Sequence, residues 1–319
     1  MSSLYIDRKG IELEADGEAL VFRENGARVG TVPLAPLSRI FLRGDVRLQS
    51  SLLGKLGERG IGVIVLSGRI GKVSLLLARP HNDASRRVQQ YRLSQDDQFC
   101  LYFSRDLVRE KIFSGRDYLK LCREKDLEHR YEITLAMRKL EGIADSLHDK
   151  DSLASVRGAE GAAAAAYFQG IAAISPPRLK FNHRNRRPPR DPLNALLSLG
   201  YTMLHGEAVL ALYGAGFDPY IGFFHQMDFG RESLACDMVE PLRVEVDRFA
   251  IDAFRSDILR LEDFSTTDSG CMLGKNGRAR FYEHWENLAE KMRKRLAERI
   301  EDLFAKMAAA VNSGNIPGS

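Results

Sequence analysis

A chain of 319 residues, 44% of them hydrophobic, is long enough for one large domain or two ordinary ones and can bury a sizeable core. Its formal net charge is only +4, and its four cysteines (Cys100, Cys122, Cys236, Cys271) stand far apart with no CxxC pair, which argues against a zinc ribbon or a disulfide framework and fits a reducing cytoplasm. The opening MSSLYIDRKG lacks the apolar segment of a signal peptide, and no uninterrupted apolar run approaches the ~18 residues of a membrane span.

Residues 1–79 read as β-rich. Short runs alternate apolar and polar residues, and Arg8-Lys9-Gly10, Asp16-Gly17 and Asn25-Gly26 punctuate them as turns. SSLLGKLGERG predicts a short helix ending at Gly60, and IGVIVLS (61–67) a buried strand. The expected unit is a small β-sandwich or barrel-like domain. Arg79-Pro80 ends it, and residues 80–93 read as a linker running into the first helix.

From there the period becomes helical. SRRVQQYRLSQDDQFCLYFSRDLVREKIFSGRDYLKLC predicts one long or two shorter helices, and 126–146 another. LASVRGAEGAAAAAYFQGIAAI predicts a helix with a small-residue face, because alanine is the best helix former and small side chains let neighbours approach closely. A basic, proline-bearing segment covers 176–192. Helices are predicted over 193–214 and 231–254. The last helix carries one stripe of Tyr282, Trp285, Leu288, Met292, Leu296, Ile300 and Leu303. The fold class is α+β: a small N-terminal β-sandwich domain (1–79) and a larger all-α domain (94–310). Residues 311–319 read as a disordered tail.

Three constellations carry possible chemistry. In GFFHQMDFGRESLACDMVEPLR, Asp237 and Glu240 stand three apart on an apolar helix, shortly after His225. Carboxylates on such a face are costly unless paired, by Arg231, by Arg243 or by a metal ion. An ordinary helix with a carboxylate–arginine pair and a core histidine is the plain alternative. Glu160, in RGAEG, lies among small residues, where Arg157 is a possible partner and simple solvation the plain alternative. Together Glu160, His225 and Glu240 form an oxygen-plus-imidazole set suited to Mg2+ or Mn2+ rather than to structural zinc. Between 178 and 190 stand six basic residues and no acid: Arg178, Lys180, Arg184, Arg186, Arg187 and Arg190, with Phe181 and His183 interleaved. Such a segment can neutralise nucleic-acid phosphates or simply be a solvated loop. Asn194 and Arg190 can tie it to the next helix.

RGAEG, NRRPPRDPLNALLSLGYTML, GFDPYIGFFH and GRESLACDMVEPLRVEVDR occur in this order, and as a series they closely resemble the CRISPR-associated integrase of spacer acquisition, the CRISPR-associated protein one family, over nearly the whole chain. The resemblance implies a metal-dependent DNA integrase and endonuclease of the prokaryotic cytoplasm. Such an enzyme inserts captured DNA fragments (prespacers) at the leader end of a repeat array, by attack of a 3′-hydroxyl on a phosphodiester. It implies a homodimer formed through the N-terminal domains, a small ferredoxin-like CRISPR-associated partner, double-stranded DNA as substrate, and no membrane. Carried over by position, Glu160, His225 and Glu240 are the metal ligands, with Asp237 an auxiliary acid of the catalytic set. Arg231, Arg243 and His205 join the basic segment as DNA contacts; His205 stands where several members have tyrosine, and a helix-face histidine is its plainer reading. Two other readings stay open: a non-catalytic DNA-binding scaffold, and a stand-alone repair nuclease for branched DNA.

Overall fold

The computed structural model describes residues 2–66, 73–76, 84–225 and 230–312. The expected boundary at Arg79-Pro80 and residues 313–319 of the expected tail lie outside the described residues; Val311 and Asn312, expected in that tail, instead close the last helix. The chain divides into two compact units, one of Met1–Ala84 with Val209–Gly216, the other of Ser85–Ala208 with Phe217–Ser319.

The first unit holds β1 (Ser2–Asp7), β2 (Ile11–Asp16), β3 (Ala19–Glu24), β4 (Ala27–Pro33), β5 (Leu37–Arg43), β6 (Val46–Leu48), α1 (Ser50–Glu58), β7 (Gly62–Leu66) and β8 (Val73–Leu76). Two four-stranded sheets form, in the orders β1-β5-β7-β8 and β4-β3-β2-β6. In the first, β5 is parallel to both β1 and β7, while β8 is antiparallel to β7. In the second, β2, β3 and β4 form an antiparallel meander, and β6 is parallel to β2. The β3–β4 turn is the Asn25-Gly26 pair, both at positive φ (51° and 79°), as a two-residue hairpin matching the strand twist requires. Ile11, Leu13 and Leu20 from one sheet, Ile6, Ile40 and Val63 from the other, and Leu52 and Leu56 of α1 share a single core. Leu52 and Leu56 are one helical turn apart and fully buried. Truncating either to alanine would cost about 2–5 kcal/mol.

The second unit contains α2 (Ser85–Leu93), α3 (Asp97–Lys125), α4 (Arg130–Asp145), α5 (Leu153–Ile174), α6 (Pro192–Gly214) up to Ala208, α7 (Ser233–Val239), α8 (Arg243–Arg255), a hairpin of β9 (Phe264–Thr267) and β10 (Gly270–Leu273), and α9 (Lys275–Asn312); the last turns of α6, from Val209, belong to the first unit. The first helical stretch is two helices because Asp96 caps α3, accepting from the backbone of Gln98 and Phe99 at 2.9 and 3.0 Å. The small face of α5 works as expected. A methyl on Gly170 would stand 2.8 Å from Leu119 of α3 and 3.2 Å from Ala136 of α4, so α5 seats itself against both.

Three features depart from the sequence reading. The helix expected over 231–254 is broken: Pro241 has no N–H to give, and Glu240–Leu242 form a 3-10 turn between α7 and α8. The helical unit carries the β9–β10 hairpin, and Cys271 N–H donates to the Pro189 carbonyl at 2.7 Å, fastening the hairpin to the basic segment. In α9, Leu288 is only half-buried and Ala289 takes its place in the core. Helix α6 is long and apolar enough, by length and composition alone, to cross a membrane. It is nevertheless a core helix here: Glu207 is 1% exposed and paired with Arg293 of α9 at 3.1 Å.

Candidate active site

The loop entering α7 is organised by Asp237, which is wholly buried. Its Oδ2 accepts the N–H groups of Phe223 (2.8 Å) and Phe224 (3.1 Å), and its Oδ1 accepts those of His225 (3.0 Å) and the His225 Nδ1 (2.6 Å). A buried carboxylate with four donors is satisfied. Because Nδ1 donates, Nε2 of His225 keeps its lone pair, the arrangement by which a carboxylate orients a histidine ligand. Glycine at 222 is obligatory: a methyl there would stand 2.8 Å from Asp237 Oδ2 and 2.9 Å from the Ser233 carbonyl carbon. Arg157, expected beside Glu160, donates instead to the Phe224 carbonyl at 3.2 Å and ties α5 to this loop.

Glu160 of α5 and Glu240 of the 3-10 turn meet at a residue the sequence reading missed. Lys111 of α3 donates its ammonium to Glu160 Oε1 and, at 2.6 Å, to Glu240 Oε2. Arg243 takes the other Glu240 oxygen at 3.0 Å, fulfilling one of the two pairings expected of it and Arg231. Burial alone would raise the Glu240 carboxyl, but Arg243, Lys111 and His225 together hold it far below the usual carboxylate range. Burial likewise opposes the charge on Lys111, and Glu240 and Glu160 outweigh it, keeping the ammonium above its ordinary value. The structure thus brings Glu160 and Glu240 together on Lys111.

Beneath these acids a cleft continues into the unit, lined by Lys111, Glu160, Glu240, Arg243, Tyr201 and Arg184. The Tyr201 ring lies under two guanidinium groups, Arg243 at 4.8 Å and Arg184 at 5.4 Å. Its hydroxyl and that of Tyr167 (2.9 Å) both donate to Asp247, which is 2% exposed. Burial raises the Asp247 carboxyl to about 6 against the pull of the two tyrosines and the two arginines. The Nε atoms of Arg243 and Arg184 are buried without a hydrogen-bond partner among the described residues.

The other predicted contacts divide by exposure. Of the six basic residues between 178 and 190, Arg178, Lys180, Arg186, Arg187 and Arg190 are exposed, and only Arg184 is half-buried. Arg184 is held by Asn194 (2.7 Å) and Ser198 (3.0 Å), and Arg178 by the Phe254 carbonyl and Asp257 (3.4 Å). Asn194, fully buried, ties the segment to α6 through His183 and Asn185. Arg178, Lys180, His183 and Arg190 line a second, more open groove with Phe264 of the hairpin. His205 is not solitary on its helix face: its Nε2 lies 3.3 Å from Glu232. Arg231 is exposed and stands beside Cys236.

The donor types fit a hard divalent cation, since two carboxylates already converge on one positive group and the same unit supplies a braced imidazole with a free lone pair. Among the described residues no three His, Cys, Asp or Glu side chains are close enough to chelate an ion as they stand. The Lys111 ammonium stands between the two glutamates and bridges them.

A family model described as CRISPR associated protein Cas1 matches residues 4–287. The chain is 40% identical over 296 residues to the CRISPR-associated endonuclease Cas1 1 of Thermodesulfovibrio yellowstonii, covering 92% of this chain and 93% of that one. Among solved structures, its fold is similar to a chain of a Cas6-RT-Cas1–Cas2 complex, with a TM-score of 0.83 at 24% identity, over 97% of this chain and 35% of that chain. It is also similar to a casposase bound to integration product, with a TM-score of 0.78 at 23% identity, over 90% of this chain and 82% of the casposase.

Proposed function

The chain belongs to the CRISPR-associated Cas1 family of endonucleases, and on that premise we propose that it is a divalent-metal-dependent DNA integrase as well as a nuclease. Its substrates are a captured duplex fragment and the leader–repeat junction of a CRISPR array. The observation that carries this reading is the convergence of Glu160 and Glu240 on a single cationic point, the Lys111 ammonium, in the unit that also holds the braced His225. Glu160, Glu240 and His225 Nε2 would hold Mg2+ or Mn2+, and such an ion supplies charge stabilisation to a phosphodiester under attack by a 3′-hydroxyl. Arg243, held by Glu240, and Arg184, held by Asn194 and Ser198, make the cleft wall electropositive where the phosphate would lie, and Asp237 keeps His225 in the required tautomer. Homodimer formation through the β-sandwich unit, and a small ferredoxin-like partner, complete the assembly. The similarity to a chain of a complex named for both Cas1 and Cas2, and to a casposase bound to integration product, supports partner and reaction class.

The test is covalent joining. The protein and its small partner are incubated with a short duplex bearing 3′-hydroxyl ends and a supercoiled plasmid carrying a leader and repeat, in Mn2+, Mg2+ or EDTA. Metal-dependent joining that disappears in Glu160→Ala, His225→Ala and Glu240→Ala while DNA binding survives is the expected result. One observation favours a second reading: Lys111 and Arg243 satisfy Glu240 as a purely structural ion-pair network would. Salt-sensitive DNA binding with no joining or cleavage under any metal would select that scaffold reading.

A further inference from the structure

Lys111 and Arg243 balance the acids of the site. Two carboxylates, Glu160 and Glu240, face one ammonium and one guanidinium, and every contact is a direct hydrogen bond or ion pair. Lys111 reaches the acids from a different helix and spans both, so its ammonium stands between oxygens that would otherwise face one another. Its side chain is 22% exposed, and a lysine ammonium is a compact point charge on a flexible stem that can be re-aimed. Arg243 has less freedom: its guanidinium is pinned between Glu240 and the Tyr201 ring.

We propose that Lys111 is a positioning residue that holds the cation's place between Glu160 and Glu240 and cedes it to a divalent ion when a phosphodiester enters, so that metal and DNA bind cooperatively. The inference rests on the metal-site reading given above. A dication added while both basic residues stayed in place would leave the site with a large uncompensated positive charge, in a cleft where screening by water is weak. The displaced ammonium needs a new acceptor, and the incoming phosphate oxygens supply one together with the missing negative charge. Without DNA, the ion must compete with Lys111 and binds weakly. With DNA, the competition is relieved. By linkage, whatever factor DNA adds to the affinity for metal, the metal adds to the affinity for DNA.

The experiment measures Mn2+ binding by calorimetry and by the spin resonance of free Mn2+, for wild type, Lys111→Met, Lys111→Gln and Lys111→Arg, with and without a short DNA duplex ending in 3′-deoxy nucleotides. Lys111→Met and Lys111→Gln are expected to bind Mn2+ at least about tenfold more tightly than wild type without DNA, and to lose most of the further gain that DNA gives wild type. Lys111→Arg keeps weak, DNA-dependent binding. In EDTA, Lys111→Met unfolds at a lower temperature than wild type, and Mn2+ restores more of its stability than it adds to wild type. Should Lys111→Met fail to fold, Lys111→Gln carries the same expectation. Equal or weaker Mn2+ binding by the neutral variants, with an undiminished DNA effect, overturns the inference and leaves the metal site standing. Failure of wild type to bind Mn2+ under either condition, or binding undiminished in Glu240→Gln, removes the metal site and the inference with it.

Discussion

Asp237 Oδ1 lies 2.6 Å from His225 Nδ1, and the same carboxylate gathers the backbone N–H groups of Phe223, Phe224 and His225. The acid nearest the histidine is thus its brace, and Glu240 is the acid free to face a cation. Asp237→Asn keeps the shape but presents an amide NH2 where a carboxylate oxygen accepted two donors. Leaving buried donors unmet costs about 1–3 kcal/mol each, so a loss of roughly 3 kcal/mol in urea unfolding is expected, together with loss of the proposed joining activity. Gly222→Ala should reproduce the defect with the carboxylate intact, since its methyl would press on Asp237 Oδ2 at 2.8 Å. A wild-type urea midpoint for both variants would show that the loop stands without this brace.

Asp247 carries a pH signature of opposite sign to that of an ordinary paired carboxylate. Burial raises it from 3.8 to about 6, so between those values the folded protein holds a proton that the unfolded chain has released. Its contribution to stability is therefore complete below about pH 3.8 and is lost as pH rises through 6. A shift of that size is worth about 3 kcal/mol. Asp247→Asn, which stays neutral, should gain on wild type by that order between pH 4 and pH 7. Urea midpoints for the two proteins across this range check it, and a constant difference at all pH values would mean that Asp247 is ionised throughout.

The acids of RGAEG and DMVEP and the histidine of GFFH were legible because each sits in a short run of unusual composition, and their order along the chain is distinctive. The β-sandwich was legible through alternation and turns such as Asn25-Gly26. Lys111 was not. It lies 49 residues from Glu160 and 129 from Glu240, on a helix where a lysine reads as one more solvated position. The same holds for Asp247, whose hydroxyl partners stand 80 and 46 residues away. Pro241 did announce the break between α7 and α8, but the apolar period around it masked the signal. The β9–β10 hairpin has only four residues per strand and is fastened to Pro189, about 80 residues earlier in the chain, too little local pattern to register.

His205 provides a second titration. Burial would lower its imidazole, but hydrogen bonding to Cys236 and Glu232 raises it to about 9. The folded protein then holds a proton that the unfolded chain releases near 6.5, so the stabilisation is complete below 6.5 and lost as pH rises through 9. The shift corresponds to about 3 kcal/mol, reduced by the water that reaches a partly exposed ring. His205→Gln should therefore be less stable than wild type at pH 6.5 and close to it at pH 10. Thermal unfolding at those two pH values is the measurement; a deficit that persists undiminished at pH 10 would assign His205 a packing role instead.

The basic segment is uniform in sequence but not in structure, and DNA affinity should divide along that line. Arg186, Arg187 and Arg190 project into solvent, where each phosphate they neutralise releases condensed counterions. Arg187→Ala should weaken binding similarly for all duplex sequences and lower the slope of log affinity against log salt by about 0.9. Arg184 is committed elsewhere: it donates to Asn194 and Ser198 and lies over Tyr201. Arg184→Ala strips a donor from the fully buried Asn194 and a guanidinium from the Tyr201 ring, so its first effect should be a loss of about 2–3 kcal/mol of stability. Fluorescence titrations of a labelled duplex at several salt concentrations, beside urea unfolding, separate the two. If Arg184→Ala unfolded like wild type and lost the most salt dependence, the segment would act as one charged strip, and the hydrogen bonds that distinguish Arg184 would have no bearing on how DNA is held.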